Sequence, residues 1–224
     1  MSLRVLVAGV DEAGRGCVIG PLVIAGVMIS EEKLPALARL GVKDSKLLSA
    51  KKREVLAVEI ARLAEKHVTV KLAPVEIDRA VESGRKLHKL NRLEAQTMAK
   101  VIDALKPDVA FVDAADVLEE RFKHHIQEGL SFKVKVVAEH KADKTYSVVS
   151  AASIIAKVER DRAVAALTGE HGDFGTGYLA DPRTMRFLKQ WLQTHEEYPD
   201  CVRKSWKPAK QTKNEQGSVQ KKLA

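Results

Sequence analysis

Short apolar stretches alternate with amphipathic segments along this chain. Stretches rich in β-branched residues predict buried strands, and apolar residues spaced three and four apart predict helices with one packed face. The predicted strands are Val5–Val10, Val18–Ile29 with a bend at Gly20-Pro21, Val68–Leu72, Val109–Val112 and Lys133–Ala138. The predicted helices are one capped by Ser49, one over 87–105, Leu118–Ile126, Tyr146–Leu167 and Met185–His195. This order predicts an α/β fold, a mixed five-stranded sheet flanked by helices, with the first two strands antiparallel and a helical C-terminal extension.

Length and charge distribution bear on the domain organisation. The 224 residues suffice for one well-packed core, and 45% of them are hydrophobic, as in globular proteins. No linker precedes about Pro199, which predicts one domain over residues 1–198. The net charge is +8, and Arg203–Ala224 holds seven basic residues and one acidic residue. Residues 199–224 are therefore predicted to be a basic, flexible tail, which either attracts phosphates or is only a solvated terminus.

Several classes of protein are disfavoured by the same composition. No apolar run approaches the roughly 18 residues needed to cross a bilayer, and the first residues lack the apolar stretch of a signal peptide. Cys17 and Cys201 are the only cysteines, which is too few for a disulfide framework and gives no metal-binding pair. We therefore predict a cytoplasmic protein without a membrane-spanning segment, and we expect a monomer.

Four acidic residues stand at or just after the ends of predicted strands. Asp11 and Glu12 follow the first strand, Asp113 ends the fourth, and Asp143 follows the fifth. Because open α/β sheets place ligands at the carboxyl ends of their strands, these side chains are expected to share one pocket. Adjacent residues of a regular strand point to opposite faces. We therefore expect the first strand to end before Asp11, with the glycines that follow supplying backbone freedom.

The chemistry of this acidic set favours a hard divalent cation. Taken singly, an acidic residue at a strand end more often forms a turn, but Asp-Glu directly after an apolar strand is less ordinary. Carboxylate oxygens without Cys or His at ligand spacing suit Mg²⁺ or Mn²⁺. Two such ions about 3.5–4 Å apart can activate a water and stabilise the leaving oxygen of a phosphodiester. The sequence therefore predicts metal-dependent chemistry on phosphodiesters.

Longer blocks of sequence surround these acids and occur in a recognisable order. They are Gly9–Gly16, Val18–Val23, Lys43–Lys46, Val112–Ala114, His140–Asp143, Ser150–Val158, Gly175–Tyr178, Asp181–Thr184 and Val202–Lys204. Together, over the chain to about Lys207, they resemble ribonuclease HII, the type 2 ribonuclease H, and its archaeal members above all. The resemblance implies a ribonuclease H-like fold and an endonuclease that hydrolyses the RNA strand of RNA–DNA hybrids by a two-metal-ion mechanism. It also implies nicking on the 5′ side of ribonucleotides embedded in DNA, leaving 3′-hydroxyl and 5′-phosphate ends.

The same resemblance assigns roles to particular residues. The catalytic, metal-binding residues that it implies are Asp11, Glu12, Asp113 and Asp143. The Gly14-Arg15-Gly16 stretch would contact the ribose 2′-hydroxyl largely through its backbone, and this hydroxyl is the local difference between RNA and DNA. Tyr178 would stack on the deoxyribose that follows the ribonucleotide. Without the resemblance, an edge position in the core would be the more usual place for such a tyrosine.

Basic and hydroxyl side chains near these motifs are candidates for phosphate contacts. They are Lys43, Ser45, Lys46, Ser153 and Lys157. Ser153 and Lys157 are four residues apart and so lie on one helix face. Phosphate contacts position a duplex without reading its sequence. The alternative for these residues is a solvated charged face with a small packing serine.

Two other functions stay open at this stage. One is a different metal nuclease of the same fold, such as a resolvase or a type 3 ribonuclease H; type 3 enzymes carry an added N-terminal domain, and only ten residues precede Asp11 here. The other is a non-catalytic nucleic-acid-binding protein that uses the basic tail. A nearly neutral body with an acidic cluster argues against it, because carboxylates repel phosphate unless metal intervenes.

The end of the chain bears on a protein partner. Many archaeal relatives end in a sliding-clamp-binding motif with paired aromatic residues. Gln216–Ala224 contains no aromatic residue. Clamp binding through this tail is therefore not expected, and the predicted partners are RNA–DNA hybrids and DNA with embedded ribonucleotides.

Overall fold

A five-stranded sheet is the centre of this computed structural model, which describes residues 4–42, 48–83 and 89–223, with side chains described as far as Glu215. The strand order is β3-β2-β1-β4-β5. The strands are β1 Leu6–Ala13, β2 Leu22–Ser30, β3 Lys66–Leu72, β4 Val109–Asp113 and β5 Lys135–Glu139. Strand β1 is antiparallel to β2 and parallel to β4, and β4 is parallel to β5. The predicted mixed five-stranded sheet, with its antiparallel first pair, is confirmed.

The predicted helices are present with small shifts of their ends. They are α2 Ala50–Leu63, α4 Lys89–Leu105, α5 Glu119–Glu128, α7 Ser147–His171 and α8 Pro182–Thr194. Helix α2 begins after Ser49, whose hydroxyl accepts a hydrogen bond from the Lys52 amide at 3.3 Å, as an N-cap residue does. The structure adds elements that the sequence pattern did not predict: a 3₁₀ turn Glu31–Lys33, α1 Leu34–Arg39, α3 Pro74–Glu82, α6 Ala142–Thr145 and α9 Lys207–Leu223.

The two faces of the sheet are packed by different helices. Ala8 and Val10 of β1 belong to a buried cluster with α4, whereas Val7 belongs to a buried cluster with the first half of α7. At Gly9 a Cβ atom would clash with the backbone of Val148. Glycine therefore lets α7 lie directly against β1, close to the acidic end of the strand.

Strand β1 continues further than predicted. Asp11 is paired with Ala25 and Glu12 with Ile24 in the regular antiparallel register. The prediction that the strand ends before Asp11 is therefore wrong. Backbone pairing with β2 does not depend on side-chain polarity, so the ladder runs through the acidic pair to Ala13. Strand β2, in turn, begins only at Leu22, and Ile19 instead forms an isolated bridge with Val202.

Contacts along the backbone divide the chain into two compact units. The described residues of the first lie within 4–13, 23–71 and 89–159, and they include most of the sheet. The described residues of the second lie within 14–22, 72–83 and 160–223. Its buried cluster includes Val18 and Ile19 with Phe174, Leu188 and Leu192, a list that extends into α9. The predicted domain boundary at residue 198 stays a prediction.

The C-terminal segment differs from the flexible tail that was predicted for residues 199–224. Residues Lys207–Leu223 form α9, in which Ala209 and Thr212 are buried. Lys210 pairs with Glu82 at 3.0 Å, and both residues belong to the second unit. The composition of the segment predicts a solvated chain, but two small residues one turn apart provide a packed face that composition does not reveal.

Candidate active site

Two of the four predicted acidic residues lie side by side on neighbouring parallel strands. Strands β1 and β4 are in register at Val10 and Val112, which places Asp11 next to Asp113 at the carboxyl ends of both strands. Val10 and Val112, which precede the two acids, pack in the buried cluster with α4. Because adjacent strand residues point to opposite faces, Asp11 and Asp113 lie on the other face of the sheet, which α7 covers. Asp11 is 4% exposed, and Asp113 is half-buried.

The carboxylate of Asp11 is held by polar groups of its own strand and of α7. It accepts a hydrogen bond from the Glu12 amide at 2.7 Å and one from Ser153. Lys157 donates to the Ser153 hydroxyl, which extends the network by one turn of α7. Burial raises the pKa of Asp11 to about 6, and the charge of Asp113 acts in the same direction. Ser153, Lys157 and the Glu12 amide oppose this shift and keep it from being larger.

Asp143 is linked to Asp113 through the start of a short helix. The amide of Ala142 donates to Asp113 Oδ1 at 2.9 Å, and Asp143, the next residue, is buried. The turn into α6 requires Lys141 to adopt a left-handed conformation with φ of 59°. The Ser150 hydroxyl donates to the carbonyl of Asp143 and ties this turn to α7. The site therefore combines residues from β1, β4, α6 and α7.

Glu12 alternates with Asp11 along β1 and is half-buried. Within the described part of the chain, no three or more His, Cys, Asp or Glu side chains already surround one point as metal ligands. The structure thus places Asp11 beside Asp113, joins Asp143 to Asp113 through the Ala142 amide, and brings the Glu12 amide to Asp11. The expectation that the side chains of Asp11 and Glu12 converge where the strand ends is not met, because the strand does not end there.

The residues present fit a hard divalent cation by their donor chemistry. Every side-chain ligand available in the set is a carboxylate oxygen, the donor that Mg²⁺ and Mn²⁺ prefer. Among the described residues, Glu12 Oε2 and Asp143 Oδ1 are buried and accept no hydrogen bond. The charge of Asp113 opposes the ionisation of Asp11, and a bound divalent ion would relieve this repulsion.

The predicted 2′-hydroxyl-contacting stretch lies in the second unit and forms a tight loop. Gly14 has φ of 86°, and a Cβ atom there would come within 2.6 Å of the Pro21 carbonyl oxygen. At Gly16, by contrast, a Cβ atom would meet nothing within 4 Å. Glycine is thus required for the backbone at the first position. At Gly16 the lack of a side chain leaves open space beside the backbone, and this space would allow a ligand to approach the backbone closely.

Tyr178 lies in the same unit, on the turn that contacts this loop. The Gly177 carbonyl accepts hydrogen bonds from the amides of Val18 at 2.8 Å and Ile19 at 3.2 Å. The guanidinium carbon of Arg160 lies 4.7 Å from the centre of the Tyr178 ring. Burial raises the pKa of the Tyr178 phenol, and the charge of Arg160 opposes this shift.

The candidate site residues are therefore found in two groups. Ser153 and Lys157 accompany the carboxylates in the first unit, whereas Gly14, Arg15, Gly16 and Tyr178 are in the second. Lys43, Ser45 and Lys46 lie outside the described residues. The buried arginines Arg160 and Arg203 were not among the predicted site residues. Arg203 lies in one of the blocks that carry the resemblance, and that was the available signal.

A mixed sheet with carboxylates at the adjacent ends of β1 and β4 is the arrangement of a nuclease with the ribonuclease H-like fold. The family model described as ribonuclease HII matches residues 8–209. The chain belongs to the ribonuclease HII family, and the predicted enzyme class, a metal-dependent type 2 ribonuclease H, is confirmed. Among the described residues, no helix is long and apolar enough to cross a membrane.

Archaeal proteins are among those most similar to this chain. The ribonuclease HII of Thermococcus kodakarensis is 50% identical over 206 residues, which cover 91% of this chain and 88% of that protein. The crystal structure of ribonuclease H2 from Pyrococcus horikoshii OT3 superposes with a TM-score of 0.87 at 41% identity, covering 95% of this chain and 99% of that one. Ribonuclease HII from Archaeoglobus fulgidus, solved in complex with PCNA, gives a TM-score of 0.82 at 45% identity and covers 91% and 96%.

Proposed function

We propose that this chain hydrolyses the RNA strand of RNA–DNA hybrids and nicks duplex DNA on the 5′ side of an embedded ribonucleotide. The observation that carries the proposal is the pair Asp11 and Asp113 on adjacent parallel strands, with Asp143 joined to Asp113 through the Ala142 amide. With Glu12, these acids would hold Mg²⁺ or Mn²⁺, which supplies an activated water and charge stabilisation at the phosphodiester.

The protein's own residues would position the substrate. Ser153 and Lys157 adjoin Asp11 on α7, where a hydroxyl and an ammonium can receive a phosphate of the cleaved strand. Gly14, Arg15 and Gly16 would contact the 2′-hydroxyl through the backbone, and the open space at Gly16 supports this role. Tyr178 would pack on the neighbouring deoxyribose. The corresponding roles of Lys43, Ser45 and Lys46 stay predictions.

The test is the cleavage map of a DNA duplex that contains one ribonucleotide. We expect one nick on the 5′ side of the ribonucleotide with Mg²⁺ or Mn²⁺, no nick with EDTA, and no nick in the all-DNA duplex. Comparing initial rates in the two metals decides which ion the enzyme prefers. An uncut ribonucleotide duplex under all metal conditions contradicts the proposal.

A matched pair of variants tests the carboxylates. Asp113→Asn is expected to reduce turnover at least 1,000-fold, about 4 kcal/mol of transition-state stabilisation, while circular dichroism shows the fold retained. Asp200→Asn makes the same chemical change at a side chain that is 99% exposed, and is expected to leave the rate unchanged. Wild-type turnover in Asp113→Asn would remove this residue from the metal site.

The last residues of the chain bear on whether it binds a sliding clamp. The solved complex with PCNA concerns the relative from Archaeoglobus fulgidus. For this chain we expect no clamp binding through residues 216–224, because they include no aromatic residue. Titrating an archaeal clamp with the intact chain and with a chain ending at residue 215 tests this expectation. A monomeric state and a cytoplasmic location stay predictions.

A further inference from the structure

We propose that Arg203 is a positioning residue that fixes the direction of the peptide groups in the Gly14–Gly20 loop and thereby sets the preference for a ribonucleotide. The inference rests on the proposed function, since it names what orients the backbone that would contact the 2′-hydroxyl. Arg203 is fully buried in the second unit, and among the described residues no carboxylate forms an ion pair with it.

The donors of Arg203 are directed to backbone carbonyls of one loop. Nη2 donates to the Gly14 carbonyl at 2.6 Å, and Nη1 donates to the Arg15 carbonyl at 2.8 Å. Nε and Nη2 donate to the Gly20 carbonyl at 3.2 and 3.1 Å, and Nη2 also lies 3.0 Å from Cys17 Sγ. A planar guanidinium with donors in a fixed fork imposes relative directions on these carbonyls that a lysine cannot impose.

The directions of the carbonyls determine the directions of the amides. The described chain contains no cis peptide bond, and in a trans peptide the C=O and N–H groups point in opposite directions. Because the Gly14 and Arg15 carbonyls point toward Arg203, the amides of Arg15 and Gly16 point away from it. These two amides are therefore donors directed away from the buried guanidinium, and at Gly16 no side chain restricts access to the backbone.

Arg203 is itself held in place from several directions. Its amide donates to the Val18 carbonyl at 2.9 Å, and its guanidinium carbon lies 5.1 Å from the centre of the Trp206 ring. The next two amides, of Lys204 and Ser205, donate to the Asp78 carboxylate at 2.8 and 3.0 Å. Asp78 is on α3 of the same unit. These contacts fix the backbone around Arg203, so its side chain can hold the Gly14–Gly20 loop in one orientation.

The test compares binding to two duplexes that differ by one hydroxyl. Fluorescence anisotropy with Ca²⁺ as the probe ion measures Kd for a DNA duplex with one ribonucleotide and for the same all-DNA duplex. Arg203→Lys keeps the charge but cannot reach three carbonyls at once. We expect the ratio of the two Kd values to fall at least fivefold, with Kd for the all-DNA duplex changed less than twofold.

Two further variants separate positioning from folding. Leu192→Ala removes buried volume from the cluster that also contains Val18 and Ile19 of the loop, but it removes no hydrogen bond of Arg203, so it is expected to lower Tm but keep the ratio. Trp206→Leu keeps an apolar side chain beside Arg203 and is expected to lower the ratio about twofold, which preserves the test if Arg203→Lys does not fold. An unchanged ratio in folded Arg203→Lys, or an equal loss in Leu192→Ala, overturns the inference. A wild-type enzyme that cuts no ribonucleotide duplex overturns the proposed function instead.

Discussion

Replacing Asp11 by asparagine should stabilise the metal-free protein while abolishing its activity. In the folded chain the pKa of Asp11 is raised from the ordinary 3.8 to about 6, first by burial and then by the charge of Asp113. A raised carboxyl pKa means that ionisation is costlier in the folded state than in the unfolded state. Each pKa unit corresponds to about 1.4 kcal/mol, so the ionised carboxylate costs up to about 3 kcal/mol.

Asparagine carries no charge and therefore removes this cost. The pKa of about 6 already includes the opposing hydrogen bond from Ser153, so the gain in stability is up to about 3 kcal/mol, or about 6–12 °C in Tm for a chain of this size. The penalty in the wild type is absent below about pH 4, where Asp11 is protonated in both states. It builds up as pH rises toward 6 and is complete above that value.

Thermal unfolding in EDTA at several pH values is the appropriate assay. The Tm difference between Asp11→Asn and the wild type should be near zero at pH 4 and largest above pH 7. Adding 10 mM Mg²⁺, about the concentration range in which weak sites fill, should then raise Tm of the wild type more than that of the variant. A variant less stable than the wild type at pH 8, or a difference independent of pH, would refute the reasoning.

Four other changes test separate parts of the structure. Gly9→Ala places a Cβ against the Val148 backbone and should cost about 3 kcal/mol in urea unfolding; a loss below about 1 kcal/mol would mean that α7 moves aside easily. Gly16→Ala meets no atom, so Tm should stay within about 2 °C while cleavage of the ribonucleotide duplex falls at least tenfold, and a normal rate would show that the open space is not used. Tyr178→Ala should reduce kcat at a single ribonucleotide more than it weakens binding, whereas equal losses would indicate a structural tyrosine. Ending the chain before Gln216 removes two lysines and should lower the slope of log Kd against log salt by about 1–2; an unchanged slope would show that these lysines do not meet phosphate.

The sheet could be predicted from sequence because its strands are unusually apolar. Residues of β1, β2 and β4 are buried on both faces by helices, so these strands appear in the sequence as continuous β-branched runs. The ends of β4 and β5 are also clear in the sequence. The end of β1 could not be predicted in this way. Asp11 and Glu12 are polar, yet β2 supplies their backbone partners, and sequence patterns record side chains rather than hydrogen-bond ladders.

The site was only partly predictable for a related reason. The motif blocks identified the acids and the glycine loop, because carboxylate side chains and glycines are recognisable from residue type alone. The role of Arg203 depends on three carbonyls of a loop more than 180 residues earlier. Every residue has a backbone carbonyl, so residue type does not show which carbonyls accept these hydrogen bonds. Helix α9 was missed because its packed face consists of small residues such as Ala209 and Thr212, which have weak apolar periodicity.

The close approach of α7 to β1 at Gly9 has a geometric consequence. Gly9 is two residues before Asp11 on the same face of the strand, and Val148 is five residues before Ser153 on the helix. The distance between the Asp11 carboxylate and the Ser153 hydroxyl is therefore set by direct contact between the backbones of β1 and α7, and not by interdigitated side chains. A backbone–backbone contact does not depend on side-chain rotamers. Substitutions elsewhere in the core therefore leave the distance between these two groups unchanged.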